Sequence, residues 1–128
     1  MREALVGVMA VAVGGSFGAT LRYLTVKVGV RLFGADFPVG TVAVNLLGCL
    51  VAGFLVGLLE QRVSLSETVQ LLVFTGFLGA FTTLSTFSVE TIHLYRAGSL
   101  GLAATNIMLN AVLGIVMVVV GMAAAKAV

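Results

Sequence analysis

The chain has 128 residues, 60% of them hydrophobic and only 9% charged, with a mean hydropathy of +1.20. Soluble domains carry about a quarter charged residues, so this composition excludes one and describes a membrane protein. A net charge of +2 argues against a nucleic-acid partner, and one cysteine (Cys49) with one histidine (His93) leaves nothing for an internal disulfide, a cysteine-based metal site or a metalloenzyme.

A spanning helix takes about 20 residues, so the length accommodates four spans with short turns and no soluble domain. The chain is therefore read as one all-α transmembrane domain over 1–128. The first span, about 5–30, is too long for a signal-peptide core and lacks a following cleavage site, which makes it part of the mature protein. Within it, GGSFGATLR sets Gly14 and Gly18 four residues apart, a spacing that lets helices approach closely. Arg22 ends that stretch, about 27 Å along the helix from Ala4 and near the far edge of the hydrocarbon. It is either an arginine snorkelling to the interface or an anion attractor at a pore mouth, because guanidinium stays charged.

The second span covers 39–59. It follows GADFPVG, in which Pro38 falls where the first turn of a helix tolerates it. GTVAVNLLG opens the span and brings Asn45 to a depth where an amide, with two donors and an acceptor, requires partners. Helix–helix pairing and a pore-lining donor for an anion are both open for it. Gly53 and Gly57 repeat the four-residue spacing.

The third span, 69–94, is preceded by QRVSLSE, where Ser64 and Glu67 have capping-box spacing. It contains GAFTTLSTFSVE, from Gly79 to Glu90. Wound as one continuous helix, the run puts Thr82, Ser85 and Thr86 on one face and Thr83, Leu84, Phe87 and Ser88 on most of the other. A helix polar on all sides cannot face lipid, so it must be central in a bundle or an oligomer. Gly76 and Gly79 suit a break in the helix, and a break frees backbone carbonyls that can hold a cation. Hydroxyl donors and electropositive ring edges, without a fixed positive charge, describe a path for a small, hard anion. The alternative is a polar knot that only glues helices. Glu90 closes the run as a proton relay, an ion site, or an acid that simply reaches water at the span's end.

The fourth span, 100–125, follows the turn RAGS. Its Asn106 and Asn110 lie four apart on one face, turned toward the same polar track. With Arg22 set aside, positive charges divide evenly between the two sides: Arg2, Arg62 and Lys126 on one, Lys27, Arg31 and Arg96 on the other. The positive-inside rule then gives no orientation. One reading is a chain that inserts both ways and pairs head to tail with itself; the other is a definite topology set by other features.

Together, GGSFGATLRY, GTVAVNLLG and GFLGAFTTLSTFSVE resemble the small bacterial fluoride channels of the Fluc (CrcB) family, in order and spacing across all four spans. The resemblance implies an antiparallel, dual-topology homodimer in the bacterial cytoplasmic membrane, with two anion pathways along the subunit interface. It also implies a sodium ion at the dimer centre, held by main-chain carbonyls of Gly79 and Thr82 from each subunit. Asn45 matches the family's pore asparagine and Arg22 its vestibule arginine. Thr83, Ser85, Thr86 and Ser88 fall in or beside its polar track, with Glu90 near one end. Asn106 and Asn110 take the span-four positions that face the pore.

There is one departure. The family pattern is Phe-Ser-Thr-Phe, and this chain has Leu84-Ser85-Thr86-Phe87. Leucine has similar bulk but no quadrupole, so one ring-edge contact with the ion is lost. Slower conduction, altered selectivity or pairing with a paralogue in a heterodimer would follow. The implied function is passive export of fluoride that entered as neutral HF, giving fluoride resistance without covalent chemistry, so the chain is not an enzyme. Two rivals stand beside it. A small multidrug-type proton-coupled antiporter would need an embedded carboxylate, for which only Glu90 could serve. A structural membrane subunit would use the polar run as glue.

Overall fold

The structure, a computed structural model, describes residues 1–61 and 64–128. Among the described residues, four helical spans are long and apolar enough to cross a membrane. The first helix, α1 (Arg2–Phe33), runs beyond both ends of the expected 5–30. It stops at Gly34, whose φ of 81° is open to glycine, and whose N–H returns to the carbonyl of Val30. Pro38 then caps α2 (Val39–Glu60) from just outside its first turn.

The third span is two helices. The first, α3 (67–81), opens with the turn Glu67–Gln70, continues as the π-helical stretch Leu71–Leu78 and closes with Gly79–Phe81. The second, α4, is Leu84–Arg96. The last span, α5 (Leu100–Ala125), is π-helical over Met108–Leu113. Gly98, at φ 78°, turns the chain between α4 and α5.

Two expectations are corrected here. The Ser64–Glu67 capping box does not form: Ser66 is the cap, its side chain accepting from the N–H of Val69 at 3.4 Å, while Ser64 lies outside the helix. Ser66 brings Glu67 into the first turn, where a carboxylate faces the positive end of the helix. Arg62, counted among the balanced charges, lies outside the described residues.

The break in the third span also falls later than Gly76 and Gly79. Gly79 is helical at φ −62°, ψ −33°. The backbone becomes extended at Thr82 (φ −78°, ψ 158°) and Thr83 (φ −152°, ψ 114°). A single helical wheel therefore cannot be drawn through 82–88, and the two faces read from one do not exist as such.

The glycines serve packing instead. A Cβ at Gly76 would press on the carbonyl of Val11 and the Cα of Gly14 in α1. In return, one at Gly14 or Gly18 would fall on the carbonyl oxygens of Leu72 and Phe77 in α3. The same device joins α2 to the second half of α5, a second extensive pairing beside that of α1 with α3. There Gly53 lies on the carbonyl of Val118 and Gly121 on that of Leu50. Between apolar helices in lipid no hydrophobic force remains, and close van der Waals contact of this kind supplies the association.

Gly53→Ala should therefore destabilise by about 1–3 kcal/mol, because its methyl meets rigid backbone. Gly101→Ala, at a helical site with nothing within 4 Å, should be neutral or slightly stabilising. Unfolding of the purified variants in detergent checks both.

Candidate functional site

At the break, the peptide of Thr83 leaves the helical ladder. In an unbroken helix its N–H would close onto the carbonyl of Gly79; here it donates to Asn45 Oδ1 at 2.8 Å. Asn45 Nδ2 donates to the carbonyl of Thr83 at 3.1 Å and to Asn110 Oδ1 at 2.7 Å. One buried amide on α2 thus holds both backbone groups of the same residue, as a neighbouring strand would. Its two donors and its acceptor are filled within the chain, so in this conformation Asn45 pairs helices and does not present a free donor.

Thr83 also caps α4. Its Oγ1 accepts from the N–H of Thr86 at 3.2 Å and donates to Thr86 Oγ1 at 3.0 Å. The N–H of Thr86 would otherwise serve the carbonyl of Thr82. The carbonyls of Gly79 and Thr82 have therefore both lost the donors that a continuous helix would give them. Thr82 bonds its hydroxyl to the carbonyl of Leu78 at 2.9 Å. Its methyl lies where a Cβ on Gly48 would stand, so any larger residue there would have to displace the Thr82 side chain at the break.

Below the break, Ser85, Thr86 and Ser88 are exposed on the single protomer and Phe87 is half-buried. Ser88 donates to the carbonyl of Leu84 at 2.8 Å. Thr86 Oγ1 accepts a hydrogen bond from the Thr83 hydroxyl, so its own hydroxyl hydrogen is not used in that bond. Leu84, 76% exposed, begins α4 on the same outer surface. Exposed hydroxyls at this depth cannot be left to lipid.

Further along, Thr41 donates to Glu90 Oε1 at 2.7 Å, while Glu90 Oε2 is buried without a partner among the described residues. Asn110 Nδ2 donates to the backbone carbonyl and to Oδ1 of Asn106, both at 2.9 Å. Asn106 Nδ2 donates to Thr91 Oγ1 at 2.9 Å. Arg22 is half-buried on α1, and no hydrogen bond or ion pair joins it to the described residues of this site.

A family model described as "CrcB-like protein, Camphor Resistance (CrcB)" matches residues 9–122. The chain belongs to the CrcB family. It is 42% identical to the "Fluoride-specific ion channel FluC" of Maridesulfovibrio salexigens, over 88% of this chain and 90% of that one. It is 45% identical to the protein of the same name from Legionella pneumophila (strain Lens), over 92% and 88%. A third such protein, from Agrobacterium fabrum, is 40% identical over 93% and 95%. The resemblance carried by the three sequence motifs is thereby confirmed, and the CrcB chain is a multi-pass membrane protein.

Of the residues singled out in the sequence, the CrcB fold brings Asn45, Thr83, Ser85, Thr86, Asn106, Asn110 and, through its carbonyl, Phe87 into one hydrogen-bonded cluster. Glu90 belongs to a separate pair with Thr41, and Arg22 stands apart. Two participants were missed. Thr41 carried a signal, being four residues before Asn45 and so on the same face of α2. Thr91 carried none, since it follows the polar run where the span was taken to be ending.

Asn45→Leu keeps the bulk and strips the amide. It should destabilise by about 1–3 kcal/mol for each backbone group of Thr83 left unpaired, read as a fall in the unfolding midpoint of the purified protein.

Proposed function

We propose that the chain is a fluoride-selective channel giving passive exit of fluoride from the bacterial cytoplasm, and hence fluoride resistance. The observation that carries this reading is the exposed row of hydroxyls directly below a helix break, in a chain so similar to proteins named for fluoride conduction. A dehydrating anion needs hydrogen-bond donors. Ser85 and Thr86 offer hydroxyl protons at the protomer surface, and the edge of the Phe87 ring is electropositive. Arg22, permanently charged, raises the local anion concentration at the mouth. No covalent bond is made or broken.

The channel is an antiparallel homodimer in the cytoplasmic membrane. Support comes from the exposed hydroxyls, which a second copy would cover and convert into a lined path, and from the balanced positive charge on the two sides. Two copies related in this way give two pathways.

A sodium ion sits at the dimer centre. The carbonyls of Gly79 and Thr82 fit such an ion, because the N–H groups of Thr83 and Thr86 are diverted to Asn45 Oδ1 and Thr83 Oγ1. Free carbonyl oxygens suit a hard cation. When bound, the ion supplies a fixed positive charge beside the anion paths and ties the two broken spans together.

Liposomes holding only this chain should release fluoride rapidly and retain chloride. Leu84→Phe, which restores a ring edge, should raise the fluoride rate. Equal loss of both anions, or no flux even with Leu84→Phe, would sink the reading. Replacing sodium by a bulky organic cation throughout purification and assay should abolish the flux; unchanged flux would remove the carbonyl site.

A further inference from the structure

Five hydrogen bonds link Thr83 to Phe87 by a route through two other helices. The N–H of Thr83 donates to Asn45 Oδ1, Asn45 Nδ2 to Asn110 Oδ1, and Asn110 Nδ2 to Asn106 Oδ1. Asn106 Nδ2 then donates to Thr91 Oγ1, and the Thr91 hydroxyl donates to the carbonyl of Phe87 at 2.8 Å. Every link runs in the same direction. The ends cannot be reversed, because a backbone N–H only donates and a carbonyl only accepts. Side-chain amides are ambiguous when taken singly, but here each flip is dictated by its neighbour. Flipping Asn110 would set its Nδ2 against that of Asn45 and its Oδ1 against two oxygens of Asn106. Asn106 has no exposed surface at all, so it reaches neither a pore nor lipid.

We propose that Asn106 and Asn110 are positioning residues: a one-directional amide relay that fixes the orientation of Asn45 and so holds Thr83 and Phe87 in register across the break. The relay acts on the conduction path without touching the anion. This rests on the fluoride-channel reading for its functional consequence, though not for its structural one. Chains of hydrogen bonds in a low-dielectric interior strengthen one another, so loss of the distant member, Asn106, is felt at Thr83. Simple helix gluing would predict otherwise: fewer folded channels, each of normal conductance.

The test uses the full-length dimer with Asn106→Leu and Asn45→Ala, separately and combined. Amide hydrogen exchange resolved at Thr83 reads the relay directly. In Asn106→Leu the exchange should quicken about fivefold, the equivalent of one net hydrogen bond, while amides in α1 stay protected. Single-channel recording in fluoride reads the consequence. Asn106→Leu should lower unitary current, and combining it with Asn45→Ala should lower it by less than the product of the two single effects, because both cut the one relay between Thr83 and Phe87. Asn106→Asp in its neutral form donates one bond and accepts one, and should restore much of the unitary current at acid pH. Unchanged exchange at Thr83 overturns the relay, as does unchanged unitary current in a conducting wild type, or effects of Asn45→Ala and Asn106→Leu that multiply. If the wild type passes no fluoride, the channel reading fails alone and the exchange at Thr83 decides the relay.

Discussion

Everything at the centre of this fold depends on the pairing of the Asn45 side chain with the backbone of Thr83. In a bilayer there is no water to accept a stray N–H or donate to a stray carbonyl, so a helix cannot simply stop halfway across. Asn45 makes the stop possible by taking both groups at once, at 2.8 and 3.1 Å. Without it the cheapest repair is for the N–H of Thr83 to return to Gly79 and the span to reclose. With it, the same diversion produces acceptors above the break and a capped, hydroxyl-bearing helix below. One interaction thus generates both chemical characters of the site.

That interaction in turn needs α2 to stand very close to the third span. Gly48, one turn from Asn45, provides the clearance: a Cβ there would collide with the methyl of Thr82. Gly53 farther along α2 lets it lie against the backbone of α5, the helix that carries Asn110. The glycines of α2 therefore do two jobs along one helix, seating the break at one level and locking the support for it at another. Small residues and buried amides are cooperating parts of a single arrangement, the first setting distance and the second setting direction.

Much of this was legible in the sequence. Span number follows from hydropathy and length, and the family from three motifs in register; the ends follow less closely, since α1 covers Arg2–Phe33 and not 5–30. The position of the break was not, and the reason is physical. Glycine is a breaker signal in water, where its loosened backbone is solvated, but in lipid its commoner use is to let helices touch. Gly76 is used in that second way. The actual marker was the pair Thr82–Thr83, since a threonine three residues before Thr86 is a helix N-cap, and reading 82–88 as one helix concealed it. The cap at Ser66 was missed for a smaller reason: Ser-Leu-Ser-Glu offers two candidate caps one half-turn apart. The four-residue spacing of Asn106 and Asn110 did show that they face one way, but spacing alone could not tell that they face Asn45.

The leucine at position 84 can be weighed in the same terms. Selectivity for a small anion over a larger one requires donors held at fixed spacing, since the larger ion is cheaper to dehydrate and wins wherever the lining can relax. Leu84 removes one electropositive edge but disturbs none of the bonds that hold the lining: it makes no side-chain polar contact, and its carbonyl still accepts from Ser88. Thr83 remains clamped, Thr86 remains fed by its hydroxyl, and Phe87 remains tied through its carbonyl to Thr91. On the proposed path the substitution therefore weakens attraction at one point and leaves the bonds that hold the lining intact. A change in the relay residues would do the reverse, keeping every donor while loosening its position. On the proposed path, attraction for the anion is set at the exposed face of α4 and rigidity by the buried amides behind it, and the unitary current draws on both.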